Sequence, residues 1–502
     1  MKRRTFIRNS GICTGAACLS SLCLSEMIIA ETRDFDFLGA DFIKPIDLKL
    51  RIKPICSARV HSEAYHGPCR YAPLEDLTPE AESQGNKQSC DSFMKNLLAM
   101  QHPDAEILTP ELVEYPEGDM IDPSFFNKLE KEVNDIDLFV TTYRVPGLER
   151  FKKPVAMVGQ GVTNVDVAAY YRDRGLEGYA PYMWDDFSEL ITVLKTRKAI
   201  SQTRILVVTN RLDKPPYGVY SSINNLEHLQ EKYGTTYQSV SLEDFFCEMD
   251  RIAGDKTIQK ELEAKTKRFI SDAQNVHMKP DTIISDIRFY LTAVNILKKY
   301  NANAFAARCF ELCASKVPWE KKFVPCSALS MFKDQGIPAS CEGDISALMA
   351  MAAEMYLAKK SIYMGNPLVE KENSLLTIHH DVPGLKMKGY DQPDLPYEIV
   401  NFTDSGFGAT IRYDFANDIG ETVTLGRFHR SGDHMLVVSG KIDGSFDVLK
   451  YGCSLGIKIR MDNIMDYYEH SKEFGHHLAM VYGDYIAQIK RLGKVMNFEV
   501  VS

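Results

Sequence analysis

The sequence predicts an α/β protein with two Rossmann-like parallel α/β domains, followed by a β-rich, barrel-like carboxyl-terminal domain. Its 502 residues are too many for one ordinary core, so two to four domains are expected. Strand-like apolar runs alternate with helical segments in the first two thirds, which is typical of a parallel sheet covered by helices. After about residue 390, alternating strands separated by glycine indicate antiparallel sheet.

The amino terminus predicts an export leader over residues 1–30. Arg3 and Arg4 form a twin arginine in a basic segment, and a weakly apolar stretch follows over residues 11–30. This pattern is typical of the twin-arginine route, so we expect an exported, periplasmic protein. A frayed cytosolic terminus is the alternative, and lipid anchoring through a leader cysteine stays open. The mature chain has no apolar stretch of the roughly 20 residues that span a bilayer, so no transmembrane span is expected.

Composition argues against two other classes of protein. The formal charge is −9 and there is no long basic run, so binding to nucleic acid is not expected. Three of the 12 cysteines lie in the leader, and the other nine show no regular spacing, so a disulfide-built scaffold is not expected. Cys309 and Cys313 are interpreted as core cysteines, because no second pair completes a zinc site.

The elements of the α/β domains are predicted in chain order. Residues 31–100 are interrupted by prolines and are predicted to be largely irregular. Strands are predicted at residues 138–143, 155–158, 205–209 and 304–307, and helices at 187–199, 224–233 and 286–300. A first α/β domain is therefore placed at residues 31–175 and a second at 176–320. Gly159 and Gly161 follow a strand, but a third glycine is missing, so a tight turn is favoured over a nicotinamide site.

The third region, residues 321–502, begins with a strand followed by a helix. Glu342 lies at the end of that strand, and the helix is predicted over residues 346–357. A second strand, residues 361–364, leads to Asn366. Because polar residues at the carboxyl ends of adjacent parallel strands converge on one crevice, Glu342 and Asn366 are expected to face each other. Antiparallel strands are predicted at residues 410–415, 422–425 and 435–438.

Histidine accumulates in this region. Seven of the 12 histidines follow residue 375, namely His379, His380, His429, His434, His470, His476 and His477. Neutral imidazole and carboxylate are the usual ligands of a divalent metal of intermediate hardness. A metal site and scattered surface histidines therefore both remain open as interpretations.

Three motifs of the region resemble the L-fucose and L-arabinose isomerase family. They are Cys341-Glu342-Gly343-Asp344, Tyr363-Met364-Gly365-Asn366 and the segment from Gly475 to Asp484. The resemblance covers residues 320–502 and is only architectural before that. It implies a metal-dependent aldose–ketose isomerase that forms homo-oligomers and binds a divalent metal, commonly Mn²⁺. It also implies metal ligands at Glu342 and His477, with the family's third ligand position, an aspartate, falling on Asn366.

Asn366 departs from the family pattern at that third position. An amide oxygen binds metal without contributing charge and cannot act as a base, so weaker Mn²⁺ binding is expected. The candidate catalytic residues are Glu342, Asn366 and Asp344. Candidate substrate contacts are His379, His380, His476, Arg412 and Trp184. For the last two, solvent exposure of Arg412 and core packing of Trp184 are the alternatives.

The sequence leaves three functions open. The first is a metal-dependent aldose–ketose isomerase or a diverged relative of one. The second is an exported glycoside hydrolase, which would need a carboxylate pair such as Glu342 with Asp344 or Asp381. The third is a non-catalytic periplasmic sugar-binding protein. In each case the partner is a small sugar or glycoside.

Overall fold

The computed structural model describes residues 37–403, 405–446 and 453–502. The predicted leader, residues 1–30, lies outside these described residues. Within the described ranges, no helix combines the length and apolar character that crossing a bilayer requires.

Residues 50–201 form a parallel sheet that is covered by helices on both faces. Its strands are β1 (Leu50–Arg59), β2 (Ala105–Ile107), β3 (Glu111–Tyr115), β4 (Leu138–Thr141), β5 (Val155–Ala156) and β6 (Gly178–Tyr179). Its helices are α1 (Pro79–Ala99), α2 (Pro123–Glu132), α3 (Val162–Asp173) and α4 (Trp184–Ser201). β1 is central and pairs with β2, β3 and β4. α1 and α4 pack on one face and α2 and α3 on the other, as predicted for an α/β domain.

The segment predicted to be irregular, residues 31–100, contains β1 and α1, so that prediction is wrong. The prolines that suggested it occupy tolerated positions. Pro54 falls between the stretch of β1 that pairs with β2 and the stretch that pairs with β3, where a missing N–H is tolerated. Pro79 is the first residue of α1, behind the capping side chain of Thr78, a position that proline favours.

A second parallel sheet follows, in the order β11-β10-β7-β8. Its strands are β7 (Arg204–Val208), β8 (Thr236–Val240), β10 (Ala304–Ala307) and β11 (Ala339–Ser340), while β9 (Asn275–Val276) lies apart from it. The helices of this part are α5 (Leu226–Tyr233), α6 (Leu242–Gly254), α7 (Lys256–Asp272), α8 (Pro280–Lys299), α9 (Cys309–Ala314), α10 (Val317–Lys321) and α11 (Cys326–Asp334). The sheets extend past both predicted boundaries, since β6 lies beyond residue 175 and β11 beyond residue 320.

The carboxyl-terminal part is a closed antiparallel barrel, as the barrel-like prediction expected. Its strands are β12 (Tyr363–Glu370), β13 (Leu375–His379), β16 (Thr422–Phe428), β17 (His434–Phe446), β18 (Gly456–Arg460) and β19 (Leu478–Tyr482). The ring closes because β16 pairs with both β17 and β19. β14 (Glu398–Asn401) and β15 (Ala409–Arg412) form a small sheet with β9, and β20 (Glu499–Val501) pairs with β17. The helices are α12 (Ile345–Ala358), α13 (Ile464–Phe474) and α14 (Ile486–Met496).

The expectation that Glu342 and Asn366 follow adjacent parallel strands is wrong. β11 is a parallel strand of the second sheet, whereas β12 is an antiparallel strand of the barrel. β12 also continues through Asn366, which lies opposite His379 of β13. Pro367 is tolerated within β12 because β19 pairs with β12 only as far as Gly365.

α12 joins the second sheet to the barrel and begins at the candidate site. Residues 345–357 are all buried, and the helix packs against β16, β19 and α4. A helix that is apolar all round belongs in the core of a large protein. The loop after β7 is hydrogen-bonded to the first turn of α12. Ser222 Oγ accepts the N–H of Ile345 at 2.9 Å, and Ser346 Oγ accepts the N–H of Ile223 at 3.0 Å.

The cysteines differ from the sequence-based expectation in two ways. Cys56 of β1 and Cys90 of α1 form a disulfide bond, although their spacing gave no sign of one. Cys313 is exposed, so its interpretation as a core cysteine is wrong, whereas Cys309 is half-buried and packs against the main core.

Candidate active site

Glu342 occupies the turn that follows β11. Its φ of 56° and the φ of 67° at Gly343 are left-handed, an arrangement that a residue other than glycine adopts only when its surroundings impose it. The N–H of Glu342 is donated to Cys309 Sγ at 3.4 Å. A Cβ on Gly343 would lie 2.5 Å from Cγ of Arg308. Two neighbouring strand ends, of β10 and β11, therefore fix where the Glu342 carboxylate lies.

His477 faces that carboxylate from the amino-terminal end of β19. Its Nε2 lies 3.7 Å from Glu342 Oε1, and the ring is fully buried. Its Nδ1 lies 3.0 Å from Asp344 Oδ2, and because a carboxylate only accepts, we assign the proton to Nδ1. Nε2, which has no hydrogen-bond partner among the described residues, then carries the lone pair of the neutral ring. A carboxylate that accepts from one ring nitrogen and leaves the other nitrogen free, as Asp344 does for His477, is the usual way in which a metal-binding histidine is oriented.

Asp344 holds the ring of His477 in this orientation. It caps α12 by accepting the N–H of Ala347 at 3.2 Å. Its Oδ2 accepts from His477 and, at 2.6 Å, from Nη1 of Arg427, and both side chains of this ion pair are completely buried. The carboxylate is enclosed and its oxygens already accept hydrogen bonds, which favours a positioning role, whereas the catalytic role of Asp344 stays a prediction.

Arg427 of β16 completes this network, a role that the sequence did not predict. Its side chain is completely buried. Besides Asp344, its guanidinium donates to the carbonyl oxygens of Phe474 and His477 at 2.7 and 3.0 Å. It thereby fixes the turn that carries His477. The one available signal was its place inside the apolar strand Thr422–Phe428.

His380 approaches Glu342 from the end of β13. Its Nε2 lies 3.6 Å from Glu342 Oε1, and the side chain is almost fully buried. The N–H of Asp381 is directed at its Nδ1 at 3.2 Å, so we assign a proton to Nε2. His380 therefore presents a donor to Glu342, whereas His477 presents a lone pair.

His476 completes a three-residue cluster with Glu342 and His477. Each of the three offers one ligand atom, and these atoms lie within 4.8 Å of one another. Nε2 of His476 lies 3.1 Å from the carbonyl oxygen of Gly218, to which it donates, so Nδ1 is the nitrogen left free. The structure thus brings His476, predicted to contact substrate, beside two residues predicted to bind metal.

The histidines and the carboxylate of the cluster shift one another's pKa values. Burial raises the pKa of Glu342, but the facing His380 and His477 outweigh it and lower that pKa to about 2. Burial lowers the pKa of His477, but its contacts with Asp344 and Glu342 raise it overall, so a cation bound at Nε2 would take the place of a proton. Burial, followed by the neighbouring His477, lowers the pKa of His476 and favours its neutral ring.

The cluster fits a divalent cation. A buried imidazole nitrogen without a partner, a second imidazole and an ionised carboxylate supply two nitrogen donors and one oxygen donor, which suit a divalent transition metal. Three protein ligands leave further positions open, as in catalytic rather than structural sites.

Four other predicted residues have different surroundings. Asn366 is half-buried on β12 opposite His379, and His379 has its ring near Phe446. Trp184 packs against Phe93 and Phe187 in the first core, which is the core-packing alternative. Arg412 donates to Ser454 Oγ, and the N–H of Ser454 is in turn donated to Asp381 at 2.9 Å. Arg412 is therefore half-buried and hydrogen-bonded to Ser454, and its contact with a substrate stays a prediction.

Two parallel α/β sheets joined to a closed barrel, with a carboxylate and histidine cluster between them, form the architecture that the resemblance to sugar isomerases implied. The chain is similar to proteins named sulfoquinovose isomerase from Priestia aryabhattai and Priestia megaterium. It is 25% identical to each over 327 residues, which cover 62% of this chain and 66% of the relative. A third, from Alkalicoccus urumqiensis, is 24% identical over 323 residues, 62% of this chain and 67% of the relative. No family model matches the chain.

The match spans just under two thirds of the first two relatives' length. It supports the sugar isomerase relationship that the motifs suggested and does not bear on the amino-terminal leader.

Proposed function

We propose that the chain is a metal-dependent aldose–ketose isomerase. The observation that supports this most directly is the placement of one carboxylate, Glu342, between a proton-bearing nitrogen of His380 and a ring nitrogen of His477 that is open to a cation. The relatives are named as isomerases of a sugar. Isomerisation needs this combination, because a proton must move between adjacent carbons while their oxygens are polarised.

The residues divide the work as follows. Glu342, His476 and His477 would hold a divalent metal such as Mn²⁺, which polarises the carbonyl and hydroxyl oxygens of a bound sugar. Glu342, ionised because of its low pKa, accepts the proton from C2 of the aldose and returns it to C1. His380 keeps a proton on Nε2, directed at the same carboxylate. It donates this proton to O1 of the sugar and takes the hydroxyl proton of O2 in return. Asp344 and Arg427 keep His477 oriented.

Both carboxylates named for the glycoside hydrolase alternative, Asp344 and Asp381, accept hydrogen bonds from other described residues. Asp344 is enclosed by Arg427 and His477. Asp381 is almost completely buried, and its Oδ1 accepts the N–H groups of Ser454 and Leu455 at 2.9 and 2.8 Å. Neither candidate is placed as an acid opposite Glu342 across a glycosidic bond, which that chemistry requires.

Incubation of the purified protein with free aldoses tests the proposal. Conversion to the ketose, followed by NMR, is expected with Mn²⁺, and it should be lost with a chelator and return when Mn²⁺ is restored. The substrates should include sulfoquinovose and neutral aldohexoses. If metal binds and no aldose is converted, the isomerase proposal fails and a sugar-binding protein is favoured.

We further propose that the sugar carries a negative charge. Arg211 follows β7 and Arg308 follows β10, so both lie at the carboxyl edge of the sheet that carries Glu342. Arg308 Nη1 donates to the carbonyl oxygen of Arg211 at 2.5 Å, and its buried Nε has no partner among the described residues. Guanidinium groups are suited to anionic oxygens. The relatives are named for a sulfonated sugar, which is consistent with this placement.

Replacing either arginine by glutamine should raise the KM of a charged sugar and not that of a neutral one. We expect KM for sulfoquinovose to rise about 10- to 100-fold in Arg211→Gln and Arg308→Gln, the usual worth of a hydrogen bond to a charged group. KM for a neutral aldohexose should stay the same, and Arg430→Gln, on an exposed turn, is the control. Equal loss on charged and neutral sugars would contradict the assignment.

A further inference from the structure

Two thiols lie side by side directly behind Glu342. Cys309 Sγ and Cys341 Sγ are 2.8 Å apart, about 0.8 Å more than a disulfide bond length. Cys309 is the first residue of α9, just past the end of β10, and Cys341 follows β11. β10 and β11 are paired neighbours, with Phe305 opposite Ala339 and Ala306 opposite Ser340. The two cysteines therefore extend from adjacent strand ends toward each other.

The chain already contains one disulfide, between Cys56 and Cys90. Disulfides persist in oxidising compartments and are rare in reducing ones, so this bond supports the export predicted from Arg3 and Arg4. Thiols in contact inside an exported protein meet the same oxidising conditions. Cys309 is half-buried and Cys341 is buried, so Cys309 is the sulfur that an oxidant reaches first.

We propose that Cys309 and Cys341 are an oxidation site that closes to a second disulfide in the working protein. The oxidant is a small-molecule or protein disulfide. The Cys309 sulfur attacks one sulfur of that disulfide and releases one thiol. The Cys341 sulfur then attacks the mixed disulfide at Cys309 and releases the second thiol. Two electrons pass to the oxidant, and the protons of the two cysteines leave with the two released thiols.

The bond would act on the site through the Glu342 backbone. Cys341 precedes Glu342, and Cys309 Sγ accepts the Glu342 N–H at 3.4 Å. A bond between the two sulfurs links Cys309 covalently to the residue before Glu342. It therefore holds Glu342 in its left-handed conformation. Reduction leaves that conformation supported by weaker contacts alone. The oxidised protein is therefore the form with the better oriented carboxylate. This consequence rests on the proposed function, whereas formation of the bond does not.

Mass spectrometry of the full-length protein tests the bond directly. The protein is exposed to oxidised glutathione, alkylated without reduction and digested. We expect one peptide pair joined through Cys309 and Cys341, together with the pair joined through Cys56 and Cys90, which serves as the internal control. Detection of the Cys56–Cys90 pair with Cys309 and Cys341 both alkylated would overturn the proposal.

Mn²⁺ titration of oxidised and reduced protein tests the effect on Glu342 without relying on turnover. We expect the oxidised form to bind Mn²⁺ several-fold more tightly. Cys309→Ser and Cys341→Ser should each abolish the difference, and Cys313→Ser, an exposed cysteine on the same helix, should retain it. Equal affinity in both forms of a protein shown to contain the bond would refute the positioning effect.

Discussion

Replacing Glu342 by glutamine is expected to lower kcat/KM for aldose–ketose conversion by about a hundred- to ten-thousand-fold, the usual contribution of a positioned general base. Glutamine keeps the size of the side chain and one oxygen able to bind a cation, but it cannot accept a proton from carbon. It also removes the charge that faces His380 and His477 at 3.6 and 3.7 Å. Both the proton transfer and the affinity for metal should therefore fall.

The measurement is steady-state kinetics at saturating Mn²⁺, which separates the two effects. If only metal binding were lost, excess Mn²⁺ would restore kcat. A deficit that persists at saturation identifies the missing base. Glu469→Gln is the matched control, because Glu469 is exposed on α13 and pairs only with Lys472 among the described residues. Wild-type kcat in Glu342→Gln would show that another group moves the proton.

The parts of the fold that sequence predicted are those with an unambiguous apolar pattern. Residues 205–208 and 304–307 are continuous apolar runs, and every one of these residues is buried. Runs of this kind occur in strands covered on both faces. The direction of a strand has no such signature. Residues 362–364 are also apolar and buried, yet Tyr363 begins an antiparallel barrel strand, because pairing depends on partners far away in the chain.

The sequence predicted which residues belong to the candidate site better than it predicted how they are arranged. Glu342 and His477 do lie side by side, although their roles remain predictions, as do the export leader and the homo-oligomer. Which histidine of each pair approaches Glu342 depends on how the barrel strand meets the turn. His380 faces the carboxylate, while His379 lies near Phe446. The buried partner of Asp344, Arg427, is 83 residues away in the chain, and no local pattern links the two.

Replacing Asp344 by asparagine is expected to weaken Mn²⁺ binding about 10- to 100-fold, the usual effect of removing the group that orients a metal-binding histidine. Asparagine has nearly the same shape, but its amide can also donate, so it no longer fixes the proton of His477 on Nδ1. The charge of Arg427 also loses its buried partner, and breaking such a pair costs about 3–5 kcal/mol of stability. Calorimetric titration with Mn²⁺ and urea unfolding measure the two effects.

The stability loss in Asp344→Asn should depend on pH in a direction set by the carboxyl pKa. Burial raises that pKa, but Arg427 and His477 outweigh it and hold it well below its usual range. The ionised group therefore stabilises the fold fully above its unfolded pKa of about 3.9, and this stabilisation disappears as the pH falls toward the folded pKa. The gap between wild-type and variant urea midpoints should therefore narrow as the pH falls below about 4. Asp418→Asn is the matched control, since Asp418 is a buried carboxylate that accepts from Tyr413 and Tyr482. This control variant should destabilise the barrel and leave Mn²⁺ affinity unchanged. A gap between the wild-type and Asp344→Asn urea midpoints that widens in acid would refute the role assigned to Asp344.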